Sequence, residues 1–248
     1  MINILREVTK KVPEINSAAL NAVEEYDRSK FFSFEEMPLK VKETTVTPYT
    51  FLAHVFGDKQ TIPSAHYVLQ LASSLDLRPE QNILEIGAGT GYAAMIFAKT
   101  AGPKSTVYST EVRPQFTELA RKNVATYGLN NRVHILQAKE TLGAPEYAPF
   151  DRIITTVSAK NTSQIENVLD QLAVGGVAQI PVVKIGNVKD KSLSKLWKPG
   201  QEIDNNDIYI HSPEKGFVRL AGYEFRKISE NEISYSVPVK GALGPVLD

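Results

Sequence analysis

Ile83-Leu84-Glu85-Ile86-Gly87-Ala88-Gly89-Thr90-Gly91-Tyr92 is the stretch on which the fold turns. Ile83 to Ile86 is a short apolar run that predicts a buried strand. Gly87, Gly89 and Gly91 follow at alternate positions, and Tyr92-Ala93-Ala94-Met95-Ile96-Phe97-Ala98 then opens with helix-favouring residues. Strand, glycine turn and helix in that order bring backbone N–H groups and the positive end of a helix up to a ligand. A dinucleotide fingerprint runs G-x-G-x-x-G, but Tyr92 stands where its third glycine would fall. The turn is G-x-G-x-G instead, led by Glu85 near the end of the strand. That form suits a cofactor with one amino-acid head and no pyrophosphate, such as S-adenosyl-L-methionine.

Working outward, Ser105 to Thr110 reads as a second strand that ends at Glu111. A carboxylate about 20 residues beyond the glycine turn is where a Rossmann-type site grips two ribose hydroxyls, because its two oxygens can accept both. Glu111 is the expected ribose ligand, with Val112 beside it on the cofactor side. Pro114 suits a first helical turn. Phe116, Leu119, Ala120, Val124 and Tyr127 recur at helical spacing, as core residues do, and Gly128 can cap that helix.

From 82 to about 182 the chain alternates strand and helix, at 82–86, 92–100, 105–111, 114–127, 133–137, 151–156, 163–172 and 176–182. The alternation predicts a doubly wound, mostly parallel α/β sheet of Rossmann-like type, with helices on both faces. Gly175-Gly176 marks a helix-to-strand turn, and the polar stretch 184–207 reads as a long loop. Short β-like runs around 208–211, 217–227 and 233–239 predict antiparallel strands at one sheet edge. Ahead of the first strand, Ile15, Ala19, Ala22, Val23 and Tyr26 mark an amphipathic helix, and Asp27 to Phe32 form a turn with an aromatic anchor. Ala65, Val68, Leu69, Ala72 and Leu75 make a second helical stripe. Residues 1–81 thus read as an N-terminal helical lead with an acceptor-site loop. Residues 82–248 read as a cofactor-binding core with a C-terminal β extension, the whole forming one compact domain.

Lys plus Arg and Asp plus Glu number 28 each in 248 residues, so no global field steers the chain toward nucleic acid or a membrane surface. No apolar run is long enough for a bilayer span, and Met-Ile-Asn-Ile-Leu-Arg-Glu lacks a signal-peptide core, so the cytoplasm is the default compartment. Without cysteine there is no disulfide, thiolate nucleophile or zinc–thiolate site. His54, His66, His134 and His211 are scattered without metal-ligand spacing, and no metal is expected. A monomer or weak oligomer is expected.

Several ordered motifs resemble the protein-L-isoaspartate (D-aspartate) O-methyltransferase family. They are Gln60-Thr61-Ile62-Pro63-Ser64-Ala65-His66, Leu84 to Tyr92, Glu111, and Ala148-Pro149-Phe150-Asp151-Arg152-Ile153-Ile154. Leu169-Asp170-Gln171-Leu172, Gly175-Gly176 and Ile180-Pro181-Val182 continue the likeness, which runs from Ala22 to Val183 with an echo at Ser236-Val237-Pro238-Val239. The resemblance implies an S-adenosyl-L-methionine-dependent transferase that methylates the carboxyl of L-isoaspartyl (D-aspartyl) residues, with isoaspartyl-containing proteins or peptides as partners. It assigns Glu85, Gly87, Gly89, Gly91, Tyr92, Glu111 and Val112 to the cofactor. It makes Thr61 and Ser64 catalytic and sets Ile62, His66 and Thr156 against the substrate.

Departures from the family pattern fall on the adenine and acceptor sides. Pro63 stands where the family has serine, and the hydroxyl comes one place later, at Ser64. Proline also lacks a backbone N–H. The family's Gly-Asp-Gly at the adenine end is Ala138-Lys139-Glu140. Lys139 cannot accept from the adenine amine, whereas Glu140 can. Thr-Ala-Ala-Ala-Pro becomes Thr156-Val157-Ser158-Ala159-Lys160. Ser64 suits a helix N-cap as well as a substrate contact, and His66 suits a packed helix-face position as well as an acceptor contact. Two other readings stay open: a divergent relative that methylates another protein or small-molecule acceptor, and a cofactor-binding interaction protein without catalysis. The turn spacing opposes nicotinamide chemistry.

Overall fold

The computed structural model describes residues 15–31, 54–56, 60–63, 65–157, 162–184, 208–212 and 216–236. Ser64, Ser158 to Lys160, most of the expected 184–207 loop and Val237-Pro238-Val239 lie outside them. Asn16 starts the first helix, α1 (Ser17–Glu25), by accepting the backbone N–H groups of Ala18 and Ala19 on its side chain. Asp27 then accepts from the backbone and hydroxyl of Ser29, tightening Arg28–Lys30 into a 3-10 turn. Two short strands, β1 (His54–Phe56) and β2 (Gln60–Ile62), form an antiparallel hairpin that pairs Val55 with Thr61. Polar residues within three-residue strands give no period to read, so sequence patterning missed this hairpin.

Helix α2 (Ala65–Ser74) leads into the strand-and-helix alternation. The elements are β3 (Asn82–Ile86), α3 (Tyr92–Ala101), β4 (Thr106–Glu111), α4 (Pro114–Thr126), β5 (Val133–Gln137), β6 (Phe150–Thr155), α5 (Thr162–Leu169) and β7 (Leu172–Lys184). Strands β8 (Ile208–Ser212), β9 (Gly216–Ser229) and β10 (Glu232–Ser236) follow. The sheet order is β10-β9-β7-β6-β3-β4-β5, with β8 also on β9. Strands β3 to β7 are mutually parallel, and β9 runs antiparallel to β7. Both β8 and β10 pair antiparallel with β9, so the expected C-terminal antiparallel edge is present. The chain winds from β3 outward to β5, then returns to β6 on the other side of β3. The carboxyl ends of β3 and β6 therefore flank the topological switch point, where open α/β sheets bind ligands.

Strand alternation sorts the core into two layers. Ile83, Val107, Ile154 and Val177 pack with residues of α1, α2, α3 and α4 on one face. Leu84, Ile86, Ile153, Ala178 and Ile180 pack with Ile165, Val168 and Leu169 of α5 on the other. The N-terminal lead belongs to the first layer through Ala19, Ala22, Val23 and Phe31. An aromatic stack fastens it: Phe31 lies parallel to Tyr127 at 5.4 Å and edge-on to Tyr92 at 5.0 Å. Helix α3, covered by both the sheet and the lead, is buried on nearly every side, as a helix apolar all round should be.

Two arginines close helix ends from inside the fold. Arg132 donates to the carbonyls of Ala98 and Gly102 at the end of α3. Arg152 donates through Nε to Leu75 beyond the end of α2. Cations there meet the negative end of the helix dipole. Gly175-Gly176 departs from the reading of a helix-to-strand turn and sits inside β7. Leu172 pairs with Phe150 and Val177 with Arg152, so the extra β7 residues bulge out of register, and Gly175 takes φ +81° to allow it. Among the described residues no helix is long and apolar enough to cross a membrane, and no group of three His, Cys, Asp or Glu residues is set to hold a metal ion.

Candidate active site at the carboxyl ends of the parallel strands

The glycine turn is tied down on both sides of β3. Gly87 and Ala88 both donate to the Thr110 carbonyl at the end of β4, at 2.9 Å. On the β6 side, the Thr156 N–H reaches the Ile86 carbonyl at 3.0 Å, and its hydroxyl reaches the Gly87 carbonyl at 2.7 Å. Gly87 has φ +104°, and a Cβ there would press onto the Thr156 hydroxyl. Gly91, at φ +80°, begins α3, and a Cβ on it would stand 3.3 Å from the backbone and Cβ of Ala120 in α4. Its work is close helix packing as well as the turn.

Glu111 ties the glycine turn to the end of β4. Its Oε2 accepts from the Gly89 N–H at 2.9 Å and its Oε1 from the Arg113 N–H at 3.0 Å, so one carboxylate joins the glycine turn to the turn after β4. Each oxygen keeps lone-pair capacity beyond these bonds. Sequence reading missed the residues that hold Glu111 in place. Gln137 donates from one amide to the Glu111 and Val112 carbonyls, and Thr117 donates to the Gln137 side-chain oxygen at 3.0 Å. Asn123 ties the Thr90 carbonyl of the glycine turn to α4. A lone Gln or Asn on a helix or strand carries no spacing that marks such bonds.

Glu85 is fully buried under the turn, with its Oε2 accepting from the Ser109 hydroxyl at 2.5 Å. Its Oε1 is buried and has no hydrogen-bond partner among the described residues. Burial pushes the Glu85 carboxyl up to about 8; the Ser109 hydrogen bond opposes this and the nearby Glu111 adds to it. The folded chain therefore holds this proton to higher pH than an unfolded glutamate of pKa about 4.3. The stability it lends is complete below that pH and is lost as pH rises through about 8. Thermal denaturation of the protein without cofactor is expected to show more loss from about pH 5 to pH 8 in wild type than in Glu85→Gln. Parallel curves for the two proteins would contradict a buried, proton-holding Glu85.

The remaining candidate residues are distributed around this centre. Val112 is 71% exposed at the rim after β4, and Val157 is 44% exposed after β6, so apolar side chains flank the turn. Tyr92 follows the turn, but its ring is buried against Phe31 behind it. Lys139 and Glu140 are exposed beyond β5, and Lys139 is paired with Glu146 at 2.5 Å. Thr156 commits its hydroxyl to the carbonyls of Ile86 and Gly87. Thr61 lies in β2, Ile62 is fully buried at its end, and His66 is the second residue of α2. The segment expected to hold the acceptor thus lies between β2 and α2.

A doubly wound sheet, a G-x-G-x-G turn at its switch point and a carboxylate at the end of the next strand define the Rossmann-like methyltransferase class. The model of the protein-L-isoaspartate (D-aspartate) O-methyltransferase family matches residues 3–210. A protein-L-isoaspartate O-methyltransferase of Ignicoccus hospitalis is 34% identical over 180 residues, covering 73% of this chain and 78% of its own. One from Methanopyrus kandleri is 36% identical over 141 residues, covering 57% and 59%. The chain thus spans just under four fifths of the first relative's length and just under three fifths of the second's. In fold it is similar to a solved protein-L-isoaspartate O-methyltransferase at TM-score 0.65 and 20% identity, covering 98% of this chain and 66% of that one. It is also similar to a Plasmodium falciparum structure described under the same name and holding S-adenosyl-L-homocysteine, at TM-score 0.64 and 17% identity, covering 99% and 97%. This chain belongs to the protein-L-isoaspartate (D-aspartate) O-methyltransferase family, a family of transferases whose methyl donor is S-adenosyl-L-methionine.

The donor set fits that cofactor. Glu85 offers a buried oxygen with no partner among the described residues, which calls for a hydrogen-bonding one. Glu111 offers two oxygens to paired hydroxyls, and the valine rim offers apolar contact to a planar ring.

Proposed function

We propose that this protein methylates the side-chain or main-chain carboxyl exposed at L-isoaspartyl (D-aspartyl) residues of damaged proteins, encountered in the cytoplasm. The observation that carries the reading is the Glu111 carboxylate at the end of β4 accepting from the Gly89 N–H in the turn after β3, beside the switch point, in a chain of this family. S-adenosyl-L-methionine supplies an electrophilic methyl on a sulfonium. The acceptor carboxylate, a main-chain carboxyl at L-isoaspartyl (reference pKa about 3.3–3.7) or a side-chain carboxyl at D-aspartyl (about 3.9), is ionised at neutral pH, so it attacks without a general base. The new oxygen–carbon bond forms as the carbon–sulfur bond breaks, and no proton moves.

What remains for the protein is alignment and exclusion of water. Holding reacting atoms in line can remove roughly 7–11 kcal/mol of barrier. Thr61, Ser64 and His66 are the residues we assign to hold the acceptor, with Ile62 as an apolar residue among them in sequence. Glu85, Glu111, the glycine turn and Val112 hold the donor, with Lys139 and Glu140 at its adenine end. Thr156 supports the acceptor side by fixing the turn.

Pro63-Ser64 is the point of strain on this assignment. Adjacent side chains point in different directions on a regular backbone, so a displaced hydroxyl needs an irregular loop. Ser64→Ala is expected to lower methylation of an isoaspartyl peptide while leaving cofactor affinity unchanged. Pro63→Ser/Ser64→Ala should recover activity by returning the hydroxyl to the family position. Label transfer from S-adenosyl-L-methionine to the peptide checks all three proteins. A Ser64→Ala enzyme as active as wild type would contradict the displaced-hydroxyl assignment.

A further inference from the structure

A buried arginine of the N-terminal lead holds the loop on which the acceptor residues sit. Arg28 is 1% exposed. Its Nε donates to the Pro63 carbonyl and its Nη2 to the Ile62 carbonyl, both at 2.9 Å. These are consecutive carbonyls at the end of β2, where the hairpin ladder stops and proline contributes no N–H of its own. Buried carbonyls without partners are costly, and one planar guanidinium answers both through its fixed fork of donors.

The position of Arg28 is itself fixed from the cofactor side. Asp27 sets the 3-10 turn that carries it, and Phe31 closes that turn by donating its N–H to the Arg28 carbonyl. The Phe31 ring packs edge-on against Tyr92, the residue that follows the glycine turn. Burial pulls the guanidinium down to about 10, with Tyr92 working the other way, so it remains charged at neutral pH. Arg28 thus joins the last two residues before Ser64 to the turn whose Phe31 packs on the beginning of α3.

We propose that Arg28 is a positioning residue for methyl transfer, one that sets the acceptor loop at Ile62-Pro63 in register with the cofactor turn. The proposal rests on the assignment of that loop to the acceptor. Lysine at this position keeps the charge and most of the volume but lacks the planar fork that serves two carbonyls at once.

Arg28→Lys separates positioning from general stability. Affinity for S-adenosyl-L-homocysteine by calorimetry should stay within about threefold of wild type, because no donor to the cofactor is touched. Amide exchange at Ile62 should accelerate by about tenfold or more, with the amides of Gly87 and Ala88 unchanged. At saturating cofactor and isoaspartyl peptide, kcat should fall about 100-fold, the cost of a misplacement near 1 Å. Unchanged exchange at Ile62, loss of cofactor affinity in step with kcat, or loss of the folded state would each overturn the role. If wild type methylates no isoaspartyl peptide, the functional reading fails, while the exchange comparison still decides whether Arg28 holds the loop.

Discussion

Gly87→Ala is expected to lower the melting temperature by about 6–12 °C, since each kcal/mol shifts a domain of this size by roughly 2–4 °C. Two costs combine. Non-glycine residues in sparsely populated positive-φ conformations carry about 1–3 kcal/mol of strain, and Gly87 sits at φ +104°. The added methyl also presses on the Thr156 hydroxyl and stands 3.0 Å from Val157 Cγ1. Moving Thr156 breaks its bonds to the Ile86 and Gly87 carbonyls, so the end of β6 loosens along with the turn. Gly87→Ala/Thr156→Ala should recover part of the loss by removing the colliding oxygen, leaving the backbone strain. Calorimetric melting of the single and double variants gives both terms. A Gly87→Ala protein that melts with wild type would show that the turn has a different path.

Glu111→Ala should weaken S-adenosyl-L-methionine binding by about 100-fold or more, from hydrogen bonds to a charged group worth about 1.5–3 kcal/mol each. The loss reaches the protein before any ligand arrives. The Gly89 and Arg113 N–H groups lose their acceptor, and the glycine turn loses its tie to the end of β4. Glu111→Gln keeps one acceptor oxygen but turns an amide toward the other N–H, so an intermediate loss is expected. Glu85→Gln should cost less than Glu111→Ala, because a neutral amide resembles the protonated acid that burial favours there. Isothermal titration ranks the three. Equal affinities for wild type and Glu111→Ala would place the ribose elsewhere.

The sheet was legible because its signals are local. Buried parallel strands read as apolar runs, and Gly87, Pro114 and Gly128 punctuate them at positions where φ demands it. Gly128 does end α4 at φ +68°, and Pro114 does begin it. Gly175-Gly176 misled for the same reason it seemed clear: a glycine pair serves a bulge inside a strand as well as a turn between elements. At the candidate site, Glu111 was marked by its offset from the turn, and its carboxylate accepts from the Gly89 N–H. Arg28 was not, because an arginine in a polar turn reads as solvated. Its burial depends on carbonyls 34 and 35 residues away, which no local pattern encodes. Tyr92 shows the limit of carrying a motif over. It belongs to the cofactor turn by sequence, and its ring serves the aromatic stack that docks the lead.

The proposed function is methyl transfer from S-adenosyl-L-methionine, held at the glycine turn, to an isoaspartyl carboxylate. Mass spectrometry of two peptides, identical except for an isoaspartyl or a normal aspartyl linkage, tests it most directly after incubation with the protein and S-adenosyl-L-methionine. The account predicts that the isoaspartyl peptide gains the mass of one methylene and that its aspartyl twin does not. A protein that binds the cofactor yet leaves the isoaspartyl peptide unmodified, or marks both peptides alike, would contradict it.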